Sequence, residues 1–267
     1  MKTRTELQRG FTLVEAIVAI VIVGIVAGIV GMFIRVPIQQ YTDVAARAEL
    51  TDNADTALRR IGRDLRLALP NSVRITGGNT TIEFLQTSTG GRYRADVTGN
   101  AAAPGAPLDF ATPTTTFDVL GDMNPIPVKG NQVVVYNLGI EGADAYSGEN
   151  RAGVESAGSN SITLTAAKQF PFESPAHRFQ VVDTPVTYRC DRGNLTRHWG
   201  YAITKNQDNP PVGGQSALIA QNVTACIFAY DPLVISERSG LVSMQIALTK
   251  NNETVTLYHE VHVSNVP

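Results

Sequence analysis

The chain has 267 residues, enough for one large domain or two small ones. With 17% charged residues and a net charge of −2, composition gives no reason to expect a nucleic-acid partner. Charge is unevenly placed. Between Phe11 and Ile34 the only ionisable side chain is Glu15, so the chain reads as an apolar stalk followed by a soluble head.

The opening residues, MKTRTELQRG, are polar, and Lys2, Arg4 and Arg9 outweigh Glu6. By the positive-inside rule this end stays cytoplasmic. The run from Phe11 to Ile34 follows. As a helix it extends about 36 Å, more than the hydrocarbon core of a bilayer, about 30 Å. A secretory signal would end in small residues, whereas this run ends in Arg35, Val36, Pro37, Ile38, Gln39 and Gln40. A plain single-pass anchor leaves Glu15 unexplained. A carboxylate within an apolar span costs about 2.5–3.5 kcal/mol on insertion scales, which makes Glu15 a candidate functional residue in need of a cation. Cleavage after Gly10 creates that cation, the α-amino group of Phe11, one helical turn from Glu15 and within reach of a neighbouring chain's carboxylate.

The string Gly10-Phe11-Thr12-Leu13-Val14-Glu15 resembles the N-terminal signal of type IV pilins and type II secretion pseudopilins. The resemblance implies a cut after Gly10 by a prepilin peptidase, methylation of Phe11, and a role for Glu15 in filament assembly. Gly24, Gly28 and Gly31 lie in the same run. Small residues at such spacing let helices approach closely, and glycines also loosen a helix, so both readings stand. Pro37 removes a backbone hydrogen bond and predicts a kink.

A three- and four-residue apolar period continues through Val44, Ala48, Ala54, Leu58, Ile61, Leu65 and Leu69. It predicts an amphipathic helix with ion pairs from Asp55 to Arg59 and from Arg60 to Asp64, ending at Pro70 and Asn71. Arg59, Arg60, Arg63 and Arg66 read as a solvated face or a partner patch. Beyond Asn71 the period becomes two. A hairpin is expected around Gly77-Gly78-Asn79, with strands over 133–136, 162–165, 179–190 and 195–202. Asp191-Arg192-Gly193-Asn194 reads as a turn between the last two. A final hairpin pairs Val242, Met244, Ile246 and Leu248 with Val255, Leu257, His259, Val261 and Val263 across Lys250–Glu253. Residues 97–131 and 139–160, rich in Gly, Pro or polar residues, read as long loops.

Four spans follow: a cytoplasmic leader, 1–10; a transmembrane and filament-core helix, 11–36; an amphipathic continuation, 37–69; and a β-rich head, 70–267. The expected fold class is α+β and pilin-like, with the long N-terminal helix on antiparallel sheet. That topology puts both cysteines, Cys190 and Cys226, outside the cytoplasm, where a pair reads as one disulfide; buried free thiols are the alternative.

The stretch Ala57 to Arg66 is similar to the helix end of J-type minor pseudopilins. The segments Cys226 to Tyr230, Gly240 to Val242 and Val261 to Pro267 resemble a minor component of mannose-sensitive haemagglutinin (MSHA) pili. These likenesses imply a low-abundance subunit at a filament tip or initiating complex. They imply a single-pass protein of the bacterial inner membrane with a periplasmic head, later part of a filament. The implied partners are prepilin peptidase, major and minor pilin-like subunits, the inner-membrane assembly platform and, before assembly, membrane lipid.

No hydrolase elbow, phosphate-binding loop, H-E-x-x-H or C-x-x-C motif occurs, so no enzyme, cofactor or metal is expected. His259 and His262 fall on opposite faces of a strand, and His259 reads as a core histidine. Glu141, Asp144 and Glu149 have the character of a calcium loop without its spacing, and a solvated loop is favoured. Trp199 is expected in the core beside the disulfide.

Overall fold

The computed structural model describes residues 10–97, 105–235 and 239–267, with only the backbone at Val36 and at 233–235. The expected leader, residues 1–10, therefore lies outside the described residues except for Gly10. The fold is α+β: one long helix and antiparallel strands. The chain divides into two compact units, Met1–Glu49 and Leu50–Pro267, with helix α1 (Leu13–Leu65) running through both.

In the first unit α1 presents Leu13, Val14, Ile17, Val21, Ile25 and Phe33 to the outside, each at least half exposed. The helix assignment runs through Pro37, where a kink is expected. In the second unit the apolar period of α1 becomes a buried stripe. Leu50, Ala54, Ala57, Leu58, Ile61 and Leu65 are fully covered. The helix stops at Leu65, four residues before the expected Leu69. The chain tightens first, with Leu67 N–H on Asp64 O at 3.0 Å and Ala68 N–H on Leu65 O at 3.0 Å. Leu69 N–H then bonds Leu85 O at 2.7 Å, and Leu67 O takes Thr87 N–H at 2.8 Å. A strand captures the groups that another helical turn would have used. Of the two expected helix ion pairs, Arg59–Asp55 is present at 2.6 Å. Asp64 is taken instead by Arg197 at 2.8 Å and by the Tyr188 hydroxyl at 2.8 Å.

The strands are β1 (Arg74–Thr76), β2 (Thr81–Tyr93), β3 (Thr114–Leu120), β4 (Gln132–Val135), β5 (Arg151–Ala157) and β6 (Ser161–Lys168). They continue with β7 (Arg178–Asp191), β8 (Asn194–Trp199), β9 (Gln215–Gln221), β10 (Val223–Ile235), β11 (Ser239–Lys250) and β12 (Glu253–Ser264). The expected hairpins form. Asn251 and Asn252 both take positive φ, 53° and 64°, between β11 and β12, as a two-residue turn matched to strand twist requires. The stretches read as long loops contain β3 and β5, whose pairing partners come from elsewhere in the chain.

The first nine strands form one sheet, but its pairings close on themselves: β2–β3–β6–β5–β4–β7 and back to β2. This six-stranded ring has its own interior of Tyr93, Phe117, Val133, Ile162, Leu164 and Phe179. Closure leaves the ring strands few open edges. The start of β2 and the end of β7 instead join β1 and β8, facing α1 and the sheet β10–β11–β12 around Phe84, Tyr188, Phe228 and Met244. Register shifts in the β2–β7 ladder at Leu85/Thr87 and Thr87/Thr89 fall where the strands pass from one core to the other. Bulges bend strands, so the two cores are served by the same ladder.

Cys190 on β7 and Cys226 on β10 form a disulfide, which ties the large sheet to the small one. Trp199 lies half-buried against that core, with the Arg197 guanidinium 4.9 Å from its ring centre. A buried ion pair supports the same region. Arg74 Nε donates to Glu83 Oε1 at 2.9 Å, and Thr187 and Tyr201 hydroxyls each donate to Glu83 Oε2 at 3.1 Å. Arg74 also bonds Lys205 O at 2.7 Å and covers the Tyr146 ring at 3.6 Å.

Candidate processing and assembly site

The candidate site is the entry to α1. Gly10, Phe11 and Thr12 lie outside helix, and the Phe11 side chain is 77% exposed. The Gly10–Phe11 bond thus lies in exposed, non-helical chain. Among the described residues, a Cβ added at Gly10 meets no atom within 4 Å.

Thr12 and Glu15 form a capping box. Thr12 Oγ1 accepts the Glu15 N–H at 3.3 Å, while Glu15 Oε2 accepts the Thr12 N–H at 3.2 Å and the Thr12 hydroxyl at 3.0 Å. Two orphan donors of the helix start are satisfied reciprocally, and the carboxylate stands at the positive end of the helix dipole. The uncut chain therefore already gives Glu15 hydrogen-bond donors within its own first turn. The signal was present in the sequence as Thr-x-x-Glu before an apolar run. A freed amine at Phe11 would arise one residue from this box.

Behind the box, an apolar window of α1 with mean hydropathy 3.1 has none of its residues buried in the chain. Gly24, Gly28 and Gly31 are likewise open, with nothing within 4 Å of an added Cβ. Close helix contact at these glycines would have to come from another molecule.

The other candidate groups are accounted for locally. Glu149 Oε2 accepts the N–H groups of Gly142 at 2.9 Å and Asp144 at 3.3 Å; Asp144 in turn accepts from Tyr146 at 3.0 Å and Ser147 at 3.3 Å. These carboxylates brace their loop. His259 is half-buried, not a core residue. It lines a cleft of about 440 Å³ with Thr56, Arg59, Arg63 and Arg66, because β12 passes over Gly62 of α1 at the margin of the sheet. The cluster of Arg74, Glu83, Tyr146, Thr187 and Tyr201 was not foreseen, since its members come from five separate stretches.

Residues 7–31 match the model of the prokaryotic N-terminal methylation motif. No curated protein and no solved structure gives a significant match. Together with the apolar helix and the antiparallel head, the motif supports a type IV pilin-like or pseudopilin subunit. It implies processing by prepilin peptidase and assembly with other pilin-like subunits. The apolar helix and the motif fit a membrane-anchored protein of this kind.

Proposed function

We propose that the chain is a minor, non-enzymatic subunit of a type IV pilus, cut after Gly10, methylated at Phe11 and incorporated at the filament tip or initiating complex. The likeness of its helix end to J-type minor pseudopilins, and of its C-terminal segments to the MSHA pilus biogenesis protein MshO, favours a pilus of the MSHA type. The observation that carries the reading is the apolar half of α1. It bears one carboxylate at its start and buries none of its window in its own chain.

Such a helix needs lipid before assembly and other helices afterwards. In the inner membrane, with the head in the periplasm, the apolar side chains contact lipid and Glu15 bonds Thr12. After cleavage, the methylated amine of an adjacent subunit competes with Thr12 for the same carboxylate. Only in the filament does that charge-assisted bond join two subunits, and there it fixes the axial register. The assembly platform would draw the processed subunit out of the bilayer.

Mass spectrometry of the mature N-terminus tests this reading. The expected product begins at N-methylated Phe11, and Gly10→Ala should leave the precursor uncut. A mature chain beginning at Met1, or trimmed beyond Ile34, would exclude it. A type II secretion pseudopilus is the alternative machine, and the neighbouring genes separate the two. A pilus-displayed adhesin is a second reading, favoured by the closed ring β2–β3–β6–β5–β4–β7, a separate core not required to seat α1. Binding of the full chain in detergent to a glycan array tests it, and absence of any bound glycan counts against it.

A further inference from the structure

The small sheet has two unlike margins. On the β10 side it is covered: Phe228 N–H bonds Asn79 O at 2.8 Å, and the Cys190–Cys226 bridge stands beside it. On the other side lies β12. Among the described residues, no group outside β11 bonds the main chain from Thr254 to Ser264. In an antiparallel strand, every second residue then turns its N–H and C=O outward without a partner.

Protein edges of this kind are ordinarily blunted by proline, lysine, bulges or shortness. β12 has none of these. It is twelve residues long, contains no proline or lysine, and pairs with β11 through twelve successive partners without a register break. The neighbouring β10–β11 ladder, by contrast, carries two breaks. On the face toward α1, Val255, Leu257 and His259 are only half covered, as expected where a sheet stops one strand short.

We propose that the β12 edge pairs antiparallel with β12 of a second copy, joining two small sheets into one of six strands. The sequence of the edge tolerates pairing with itself in one register. With Tyr258 on the two-fold axis, Thr256 faces Glu260 of the second copy, Thr254 faces His262 and Val255 faces Val261. No like charges are opposed, and on the face toward α1 the Val255–Val261 pair is followed by Leu257 against His259. The outward side chains Thr254, Thr256, Tyr258, Glu260 and His262 are all exposed. This inference is independent of the filament reading, since it rests on the head alone.

Thr256 gives a test specific to this register. Thr256→Glu places like charges opposite each other twice across the axis, and Thr256→Lys places opposite charges there. Sedimentation equilibrium of the full chain in detergent should show a dimer. Thr256→Glu should weaken it roughly tenfold, and Thr256→Lys should keep or tighten it. Adding Glu260→Lys to Thr256→Glu should restore association, and Tyr258→Cys should give a covalent dimer on mild oxidation. A monomer at all concentrations overturns the proposal. So does a dimer indifferent to both Thr256 substitutions, which would place the contact on α1 or on another partner surface.

Discussion

Arg74 and Glu83 are the residues whose loss should be felt most. Glu83 is 1% exposed, and its two oxygens are shared among Arg74, Thr187 and Tyr201. A buried pair of this kind is worth little net against apolar replacements, but breaking it strands a charge. Arg74→Met should therefore cost about 3–5 kcal/mol. Arg74→Met with Glu83→Met should recover most of that, because Thr187 and Tyr201 hydroxyls, 2.5 Å apart, remain partners for each other. Urea unfolding of the two single variants and the double variant measures this. Equal losses in the Arg74 single and the double would show that the packing matters and the charge does not. The sequence could not announce this cluster, because Arg74, Glu83 and Tyr201 meet only through β1, β2 and the chain after β8. The Thr12–Glu15 box is the opposite case. Its three-residue spacing is local, and the same pattern at any helix start would carry the same meaning.

At the scale of elements, the meeting of α1 and β12 depends on Gly62. A Cβ there would stand 3.1 Å from Val261 Cγ2 and 3.3 Å from His259 Nε2, so glycine is what lets the strand lie against the helix. Alanine gains up to about 1 kcal/mol of helix propensity, which offsets part of the crowding. A branched side chain has no such relief. Gly62→Val should lower stability by about 1–3 kcal/mol, and Gly62→Ala by less; thermal unfolding of both variants would show the order. If valine proved harmless, the approach would be slacker than the distances imply. Hairpins such as β11–β12 were legible because the alternation and the Asn251-Asn252 turn are adjacent in sequence. Strands β3 and β5 were not. β3 sits in a stretch rich in proline and threonine and reaches strand geometry by pairing with β6, as at Thr116 and Thr163, far beyond the reach of a local turn. The helix end at Leu65 was missed for a related reason, since a distant strand takes its last hydrogen bonds.

At the scale of the molecule, the apolar stalk was readable because absence of charge is a property of the chain itself. The ring was not, because β2 pairs with β7 across about a hundred residues of sequence, as at Thr81 and Arg189. The finished head carries a property that no segment has alone: several tyrosines held protonated by burial. Burial raises the Tyr93 hydroxyl to about 12. Burial raises those of Tyr146, Tyr188 and Tyr201 as well, with the Glu83 carboxylate adding to Tyr146 and Tyr201 and Asp64 to Tyr188. In each case the folded form holds its proton above the ordinary value near 10, so the unfolded chain loses protons first as pH rises. Stability is then complete below about pH 10 and falls above it, by about 1.4 kcal/mol per pH unit for each tyrosine that titrates only on unfolding. The fall continues through about 12 for Tyr93 and beyond for the others. Urea unfolding between pH 8 and 11 should show a flat region and then a steep loss. Tyr188→Phe should flatten part of that slope, while weakening the head at neutral pH by removing its bond to Asp64 on α1. A slope unchanged in Tyr188→Phe would mean that this hydroxyl reaches solvent before the head unfolds.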